Sequence, residues 1–202
     1  MTTKEKIVTE ALELFSVHGF EGVSMRDIGA AVGIRESSIY KHYSGKQAIL
    51  DAIVAKAMEE IDQLLVKLNV PDSKQDASVA RYTEMKFEDI AELCSKMILV
   101  QMDNDLIRKF RQLVTIEQYR NEELRRIYIE MFMERQLLYN EKVFDYLLKI
   151  GVLKGDSPRM MALEFFAPFF LLQYRYDTDR EVLAANLKEH AVTFIKEHLK
   201  ED

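Results

Sequence analysis

Residues 24–46, SMRDIGAAVGIRESSIYKHYSGK, constrain the fold of this chain more than any other segment. Ser24, followed three residues later by Asp27, forms a short capping box and predicts a helix that begins directly after it. Gly33 can adopt the left-handed conformation that ends this helix and turns the chain. A second helix, polar on its outer side, is expected over residues 35–43. The segment therefore predicts a helix-turn-helix, in which one helix packs and the next faces outward.

Narrow apolar faces would hold these two helices in place. Ile28, Ala31 and Val32 lie at i, i+3 and i+4 and form one side of the first helix. The second helix offers only Ile39 and Tyr43 for burial, so we expect Tyr43 to pack beneath it rather than to contact DNA. A helix this short and polar needs tertiary support, and its outward donors suit a surface that reads a DNA groove.

On these residues the segment resembles the DNA-binding domain of the TetR family of bacterial transcriptional regulators. The matching positions are Phe15, Gly19, Phe20, Ser24, Ile28, Ala31, Gly33, Ile34, Ile39, Tyr40, His42, Tyr43, Lys46 and Leu50. The resemblance implies an all-α protein with an N-terminal three-helix DNA-binding domain over residues 1–46. An effector-binding and dimerisation domain would follow over residues 47–202, linked by a helix from about residue 45. A generic pair of crossed helices is the structural alternative.

The resemblance and the chemistry of DNA together suggest which residues bind it. Phosphates are held by hydroxyls, amides and cations near helix starts, which suits Ser24, Arg26 and Lys46, although Ser24 is equally well explained as a plain N-cap. Base edges are read from the first turns of the second helix. The full set of candidate DNA-binding residues is Ser24, Arg26, Arg35, Glu36, Ser37, Ser38, Tyr40, Lys41, His42 and Lys46.

The charge distribution fits a specific DNA-binding protein. The whole chain has a formal net charge of −6, but residues 33–46 carry three basic side chains and one acidic side chain. A locally positive edge on an acidic protein suits specific binding and does not suit a protein that coats DNA non-specifically. Glu36 departs from the family, in which a basic residue is frequent at that position.

Other features of the sequence favour a cytoplasmic protein. A single cysteine, Cys94, excludes an internal disulfide and suits a reducing compartment. The N-terminus, MTTKEKIVTEAL, does not resemble a signal peptide. The most apolar run, residues 160–172, is too short to span a bilayer, so no membrane association is expected.

The remaining sequence is helical in its periodicity, without the alternation of strands, and predicts about nine helices in all. The last two of these nine helices are expected to be separated by residues Asp177 to Asp179. Besides the pair described above, the expected helices cover approximately residues 4–18, 45–69, 76–100, 105–118, 121–150, 158–176 and 180–200.

The resemblance implies that the C-terminal helices enclose a cavity for a small-molecule effector, and the large apolar side chains there suggest an apolar or aromatic one. Arg135 lies on an apolar stripe, where a charge needs a partner; it could pair with Glu117 or Glu164, or bind an anionic ligand. The candidate effector-binding residues are Tyr82, Phe87, Met97, Phe110, Tyr128, Met131, Phe132, Arg135, Phe165, Phe166 and Phe169.

The last two helices are expected to pair with those of a second copy, forming a four-helix interface about a twofold axis. A helix apolar nearly all round, such as the one after Pro158, must be buried on more than one side. The alternative is a central core helix within a monomer. The candidate dimer residues are Phe170, Leu171, Leu183, Leu187, Ala191, Phe194, Ile195 and His198.

Enzyme chemistry is not indicated. The four histidines are scattered, and the chain has no Glu-x-x-His pair, no His-Glu-x-x-His, no Gly-x-Ser-x-Gly and no phosphate-binding glycine loop. No metal and no cofactor are therefore expected, and Cys94 is expected in the core. The predicted function is that of a homodimeric repressor that binds a palindromic double-stranded DNA operator and is released by its effector. The alternatives are a helical protein-binding adaptor and an all-α enzyme.

Overall fold

The computed structural model describes residues 1–175 and 179–200. These residues form helices and no strand of a sheet, apart from one isolated bridge between Leu153 and Leu199. The prediction of an all-α fold is confirmed. The helices are α1 (Thr3–His18), α2 (Met25–Val32), α3 (Glu36–Ile39), α4 (Lys46–Lys67), α5 (Asp76–Val79), α6 (Phe87–Asp103), α7 (Asp105–Glu117), α8 (Glu122–Ile129), α9 (Arg135–Lys149), α10 (Pro158–Arg175) and α11 (Arg180–His198).

The chain forms two compact units. Unit 1 comprises Met1–Gln63 and Met102–Glu130, and unit 2 comprises Leu64–Gln101 and Met131–Asp202. The chain passes from one unit to the other within α4, near the end of α6 and within a π-helical turn that follows α8. The predicted boundary at residue 46 lies inside unit 1. That boundary separates the expected DNA-binding residues from the expected effector-binding residues, whereas the two units are defined by packing. The boundary therefore stays a prediction.

The start of unit 1 follows the local signals of the sequence. Thr2 and Glu5 form a capping box at the start of α1, and Ser24 and Asp27 form the predicted one at the start of α2. Gly33 ends α2 with φ 80° and ψ 31°, the left-handed conformation that the turn requires. The predicted helix-turn-helix is therefore present.

The second helix of the motif is shorter than predicted. Regular α-helix covers Glu36–Ile39, and the chain continues through a turn in which the Ile39 carbonyl accepts hydrogen bonds from the amides of His42 and Tyr43. Tyr43 is buried, as expected, and its ring lies 5.4 Å from the Lys4 ammonium. With only Ile39 and Tyr43 to bury, the segment has no apolar face that would extend the helix further.

The expected helix over residues 76–100 is wrong as a single element. It is broken into α5, a 3₁₀ turn over Ala80–Glu84 and α6, with an extended residue at Met85. Neither glycine nor proline marks the break. Instead, tertiary contacts fix it: Val79 is buried, and the Tyr82 hydroxyl bonds to Tyr139.

The expected helix over residues 121–150 is also interrupted. A π-helical turn, Glu130–Glu134, separates α8 from α9. One extra residue in a helix rotates all following side chains by about 100° about the axis. The face that α9 presents therefore differs from the one predicted for an unbroken helix.

Unit 2 is built around α9, α10 and α11. Phe165 is the centre of its aromatic core, with ring centroids 5.5 Å from Phe144, 4.9 Å from Phe169 and 4.9 Å from Phe194. Asp179 caps α11 by accepting a hydrogen bond from the Val182 amide. The rest of the predicted break, residues 177–178, lies outside the described residues. Across the ranges that the structure describes, no helix is long and apolar enough to cross a membrane.

Candidate nucleic-acid interface and ligand cavity

The outer surface of α3 and the turn after it is polar and open to solvent. Ile39 and Tyr43 point inward and are buried, which directs the remaining side chains away from the core. Ser38 is half-buried. The exposed predicted DNA-binding residues of this surface, called the reading surface below, are Arg35, Glu36, Ser37, Tyr40, Lys41 and His42.

The start of α2 lies in the same domain and is also exposed. The Ser24 hydroxyl accepts from the Asp27 amide at 3.2 Å and donates to Asp27 Oδ2 at 2.6 Å. The Ser24 amide also donates to Asp27 Oδ2, at 2.8 Å. The hydrogen bonds that the Ser24 hydroxyl and amide donate to the Asp27 carboxylate lower its pKa below the ordinary value. Ser24 therefore serves as an N-cap, while Arg26 is exposed at the same helix end.

Lys46 has partners within unit 1. Its Nζ donates to the Phe20 carbonyl at 2.8 Å, lies 4.3 Å from the centre of the Phe20 ring and is 3.6 Å from a Glu21 carboxylate oxygen. The residue thus ties the start of α4 to the loop after α1. To bind a phosphate as predicted, Lys46 Nζ would have to reach it from this position or give up its contacts with Phe20 and Glu21.

A buried carboxylate holds the same loop and was not found from the sequence. Glu117, at the end of α7, is 2 % exposed, and its Oε1 accepts a hydrogen bond from the Phe20 amide at 2.9 Å. Gly19 makes room for it, because a Cβ there would overlap Glu117 Oε1. The sequence suggested Glu117 as a partner of Arg135, and local sequence carries no signal for a bond across 97 positions.

Unit 2 contains a cavity of about 350 Å³. Six of the predicted effector-binding residues line it: Tyr82, Phe87, Met97, Phe165, Phe166 and Phe169. The other lining residues are Thr83, Met85, Ile90, Cys94, Ile98, Gln101, Gln136, Tyr139, Asn140, Val143, Phe144, Leu147, Val152, Leu153, Phe194, Ile195 and Leu199.

The other predicted effector-binding residues lie elsewhere. Phe110 and Tyr128 belong to the buried core of unit 1. Met131, Phe132 and Arg135 are not among the lining residues, which corrects their placement on the cavity face. For Arg135 the physical reason is the π turn, because it rotates α9 so that its lining residues fall at Gln136, Tyr139, Asn140, Val143, Phe144 and Leu147. Met131 and Phe132 lie within the turn itself and are buried.

Two lining tyrosines belong to a short hydrogen-bonded chain. The hydroxyls of Tyr82 and Tyr139 are 2.6 Å apart, and the Tyr139 hydroxyl donates to the Pro71 carbonyl at 3.0 Å. Burial raises the pKa of both phenols above the ordinary value, so both are protonated. Cys94 lines the cavity rather than filling the core, and burial raises the pKa of its thiol to about 12. A thiol of that pKa is a poor nucleophile.

Most of the predicted dimer stripe on α11 faces its own chain. Leu183, Leu187 and Ala191 have no exposed surface, and Phe194 is buried in the aromatic core. The stripe on α11 is therefore intramolecular, which corrects that part of the prediction. The apolar residues of α11 do share one face, but periodicity alone does not identify the partner that covers that face.

The other predicted dimer residues differ in their exposure. Ile195 lines the cavity. His198 stacks on Phe194 and lies 3.6 Å from a Glu164 carboxylate oxygen. Phe170 is half-buried, whereas Leu171 is 66 % exposed. Leu171 is thus the predicted interface residue most open to a second copy.

Comparison with known proteins connects this geometry to a family. The model of bacterial regulatory proteins of the tetR family matches residues 7–53. The negative transcriptional regulator IcaR of the biofilm operon icaADBC in Staphylococcus aureus is 27 % identical over 103 residues, which are 50 % of this chain and 54 % of IcaR. IcaR of Staphylococcus epidermidis is 41 % identical over 46 residues, 23 % of this chain and 25 % of that protein. The chain thus matches about half the length of the first of these relatives.

Solved structures share the fold over nearly the whole chain. SmeT, the repressor of the multidrug efflux pump SmeDEF of Stenotrophomonas maltophilia, aligns with a TM-score of 0.65 at 19 % identity, covering 100 % of this chain and 92 % of SmeT. A regulatory protein of the tetR family from Rhodococcus aligns with a TM-score of 0.66 at 15 % identity over 100 % of both chains. Together with the helix-turn-helix and the exposed reading surface, these findings show that residues 7–53 match the tetR family of bacterial regulatory proteins and that the chain shares the fold of solved structures from that family.

Proposed function

We propose that this protein is a cytoplasmic transcriptional repressor that binds a palindromic operator as a homodimer and leaves it when a small-molecule effector fills the cavity. The observation that carries the proposal is the reading surface, which is polar, exposed and held over the buried Ile39 and Tyr43. Named relatives support it: IcaR is a negative regulator and SmeT a repressor. SmeT has also been solved with triclosan, and FrrA is a flavonoid-responsive regulator.

DNA contacts would be divided between base edges and the backbone. Arg35, at the start of α3, carries a guanidinium that can bind a guanine through two hydrogen bonds, and the exposed Glu36 can accept from a cytosine amino group. Tyr40, Lys41 and His42, exposed on the turn after α3, would hold phosphates, which position a protein without reading sequence.

A second copy would present the same surface again. The outer side of α10 is an apolar stripe in which Leu163, Leu171 and Tyr174 are exposed at helical spacing. Pairing of this stripe with its own copy would bury it and produce twofold symmetry. Two reading surfaces about 34–36 Å apart would then fit half-sites one turn of DNA apart.

Release would require two conformations of the dimer. An effector changes operator affinity only if it binds more tightly to a form in which the reading surfaces are wrongly spaced. Several cavity residues lie on α6 and α9. Along the chain, α6 is followed by α7, and α9 is preceded by α8 and the π turn. Both α7 and α8 belong to unit 1. These continuous segments are the elements through which occupancy of the cavity would reach the DNA-binding helices.

The proposal is tested by titrating the full-length protein with labelled DNA taken from the region upstream of its own gene, at fixed salt. We expect specific binding that unlabelled random DNA does not displace at equal concentration. Arg35→Ala should reduce the preference over random DNA. Equal affinity for both DNAs would contradict the proposal and favour a protein-binding adaptor.

A further inference from the structure

The hydrogen bonds of the two tyrosines that line the cavity have a fixed direction. A carbonyl only accepts, so the one hydroxyl hydrogen of Tyr139 is donated to Pro71 at 3.0 Å. The 2.6 Å contact between the two phenols must then use the hydrogen of Tyr82, with the Tyr139 oxygen accepting. The Tyr82 oxygen therefore retains lone pairs and no hydrogen to offer. Toward a ligand, Tyr82 is an acceptor.

The rest of the cavity wall is uncharged. Within the described parts of the chain, its polar lining residues besides the two phenols and Cys94 are Thr83, Gln101, Gln136 and Asn140. One of these, Gln101, already donates its amide to the Met97 carbonyl at 2.9 Å. A carboxylate, a phosphate or an ammonium buried here would lack an opposite charge, which makes its transfer from water unfavourable.

Other lining residues of the cavity are aromatic or flexible. Phe144, Phe165, Phe169 and Phe194 pack in tilted and edge-on arrangements, the geometries in which an added aromatic ring also packs favourably. The flexible thioether of Met97 can adjust to the outline of a ligand. A volume of about 350 Å³ is at the lower end for small-molecule sites, which suits a compound of one or two rings.

We propose that the effector of the proposed function is a neutral aromatic compound with a hydroxyl or N–H group, a phenol in the simplest case, which donates its hydrogen to the Tyr82 oxygen. At Tyr82, a compound that only accepts hydrogen bonds, such as an aryl ketone, is disfavoured. To donate to it, Tyr82 would have to give up its bond to Tyr139 or force Tyr139 to give up Pro71, so one buried hydrogen bond would be lost.

Three probes of one shape separate these classes: biphenyl-4-ol donates, 4-acetylbiphenyl only accepts, and biphenyl-4-carboxylate is charged. Their affinities for the full-length protein without DNA are measured by isothermal titration calorimetry. We expect the phenol to bind about tenfold more tightly than the ketone, and the carboxylate to bind most weakly. Ketone or carboxylate affinity equal to or above that of the phenol overturns the inference, as does the absence of binding by all three.

Tyr139→Phe tests the direction of the bonds. It removes the acceptor of Tyr82, whose hydrogen becomes available to a ligand, so the preference should shift toward the ketone. Tyr119→Phe, at an 88 % exposed position, is the control and should keep the wild-type preference. An unchanged preference in Tyr139→Phe overturns the assignment. Binding of the phenol without release of operator DNA would leave this inference standing and contradict the proposed effector response.

Discussion

The Glu117 carboxylate accepts a hydrogen bond from the Phe20 amide at 2.9 Å, joining the end of α7 to the loop between α1 and α2. Lys46 donates to the carbonyl of the same residue at 2.8 Å. Both polar groups of the Phe20 backbone are therefore held by side chains from distant parts of the sequence. The loop that precedes the helix-turn-helix is positioned by packing within unit 1 as well as by its own local sequence.

Removal of this acceptor should destabilise the protein. In Glu117→Ala, the buried Phe20 amide would lose its partner, and an unsatisfied buried donor costs about 1–3 kcal/mol. The free energy of unfolding from urea titration should fall by that amount. Glu122→Ala, at an exposed position in the first turn of α8, is the control and should change it much less. Equal losses in both variants would show that the bond is not stabilising.

The Glu117 side chain occupies the space that a Cβ at position 19 would need, and a double-mutant cycle can test this contact. Gly19 has φ 76° and ψ 167°, so Gly19→Ala should cost about 1–3 kcal/mol from backbone strain alone. When Glu117 is present, Gly19→Ala should cost more than this strain alone, because the new Cβ would overlap Glu117 Oε1. With Glu117→Ala present, that extra cost should vanish, which gives a coupling energy of at least about 0.5 kcal/mol. Strict additivity of the two changes would contradict the contact.

Lys41 and Tyr40 should contribute to operator affinity without contributing to the fold. Both are exposed on the reading surface. Loss of one phosphate contact in Lys41→Ala should weaken binding and reduce the slope of log affinity against log salt by about 1. Tyr40→Phe, which removes one hydroxyl, should weaken binding with little change in that slope. Lys154→Ala, an exposed lysine of unit 2, should match the wild type, and identical titrations for all four proteins would refute these assignments.

Leu171 should hold the dimer together. A charge at this 66 % exposed position would have to be buried in the interface, so Leu171→Glu should weaken dimerisation about tenfold or more, as measured by sedimentation equilibrium. Leu138→Glu places the same charge on α9 at a 50 % exposed leucine and should leave the dimer intact. A monomeric wild type, or dimers of equal strength in both variants, would exclude the α10 stripe as the interface.

Local signals in the sequence were sufficient for the helix-turn-helix. Ser24, Asp27 and Gly33 each act through neighbours within a few residues, and the structure shows the predicted cap and the predicted left-handed turn. Tyr43 could be placed beneath the helix because only two of its residues were available for burial.

Features that depend on residues distant in the sequence could not be predicted from local signals. The break after Val79 and the π turn at Glu130–Glu134 carry no glycine or proline, and they follow from packing in three dimensions. The cavity face of α9 consequently includes Gln136 and Tyr139 but not Arg135. Leu183 and Leu187 form an apolar stripe as predicted, but a stripe covered by the same chain and one covered by a second copy have the same sequence pattern.

The most direct test of the central claim is hydroxyl-radical footprinting of the full-length protein on DNA from upstream of its own gene. Two reading surfaces related by twofold symmetry should protect two regions whose centres are about 10 base pairs apart, or a multiple of that spacing, on one face of the duplex. Arg35→Ala should weaken protection of both regions equally. A single protected region, or protection unaffected by Arg35→Ala, would contradict an account in which two copies of α3 enter successive major grooves.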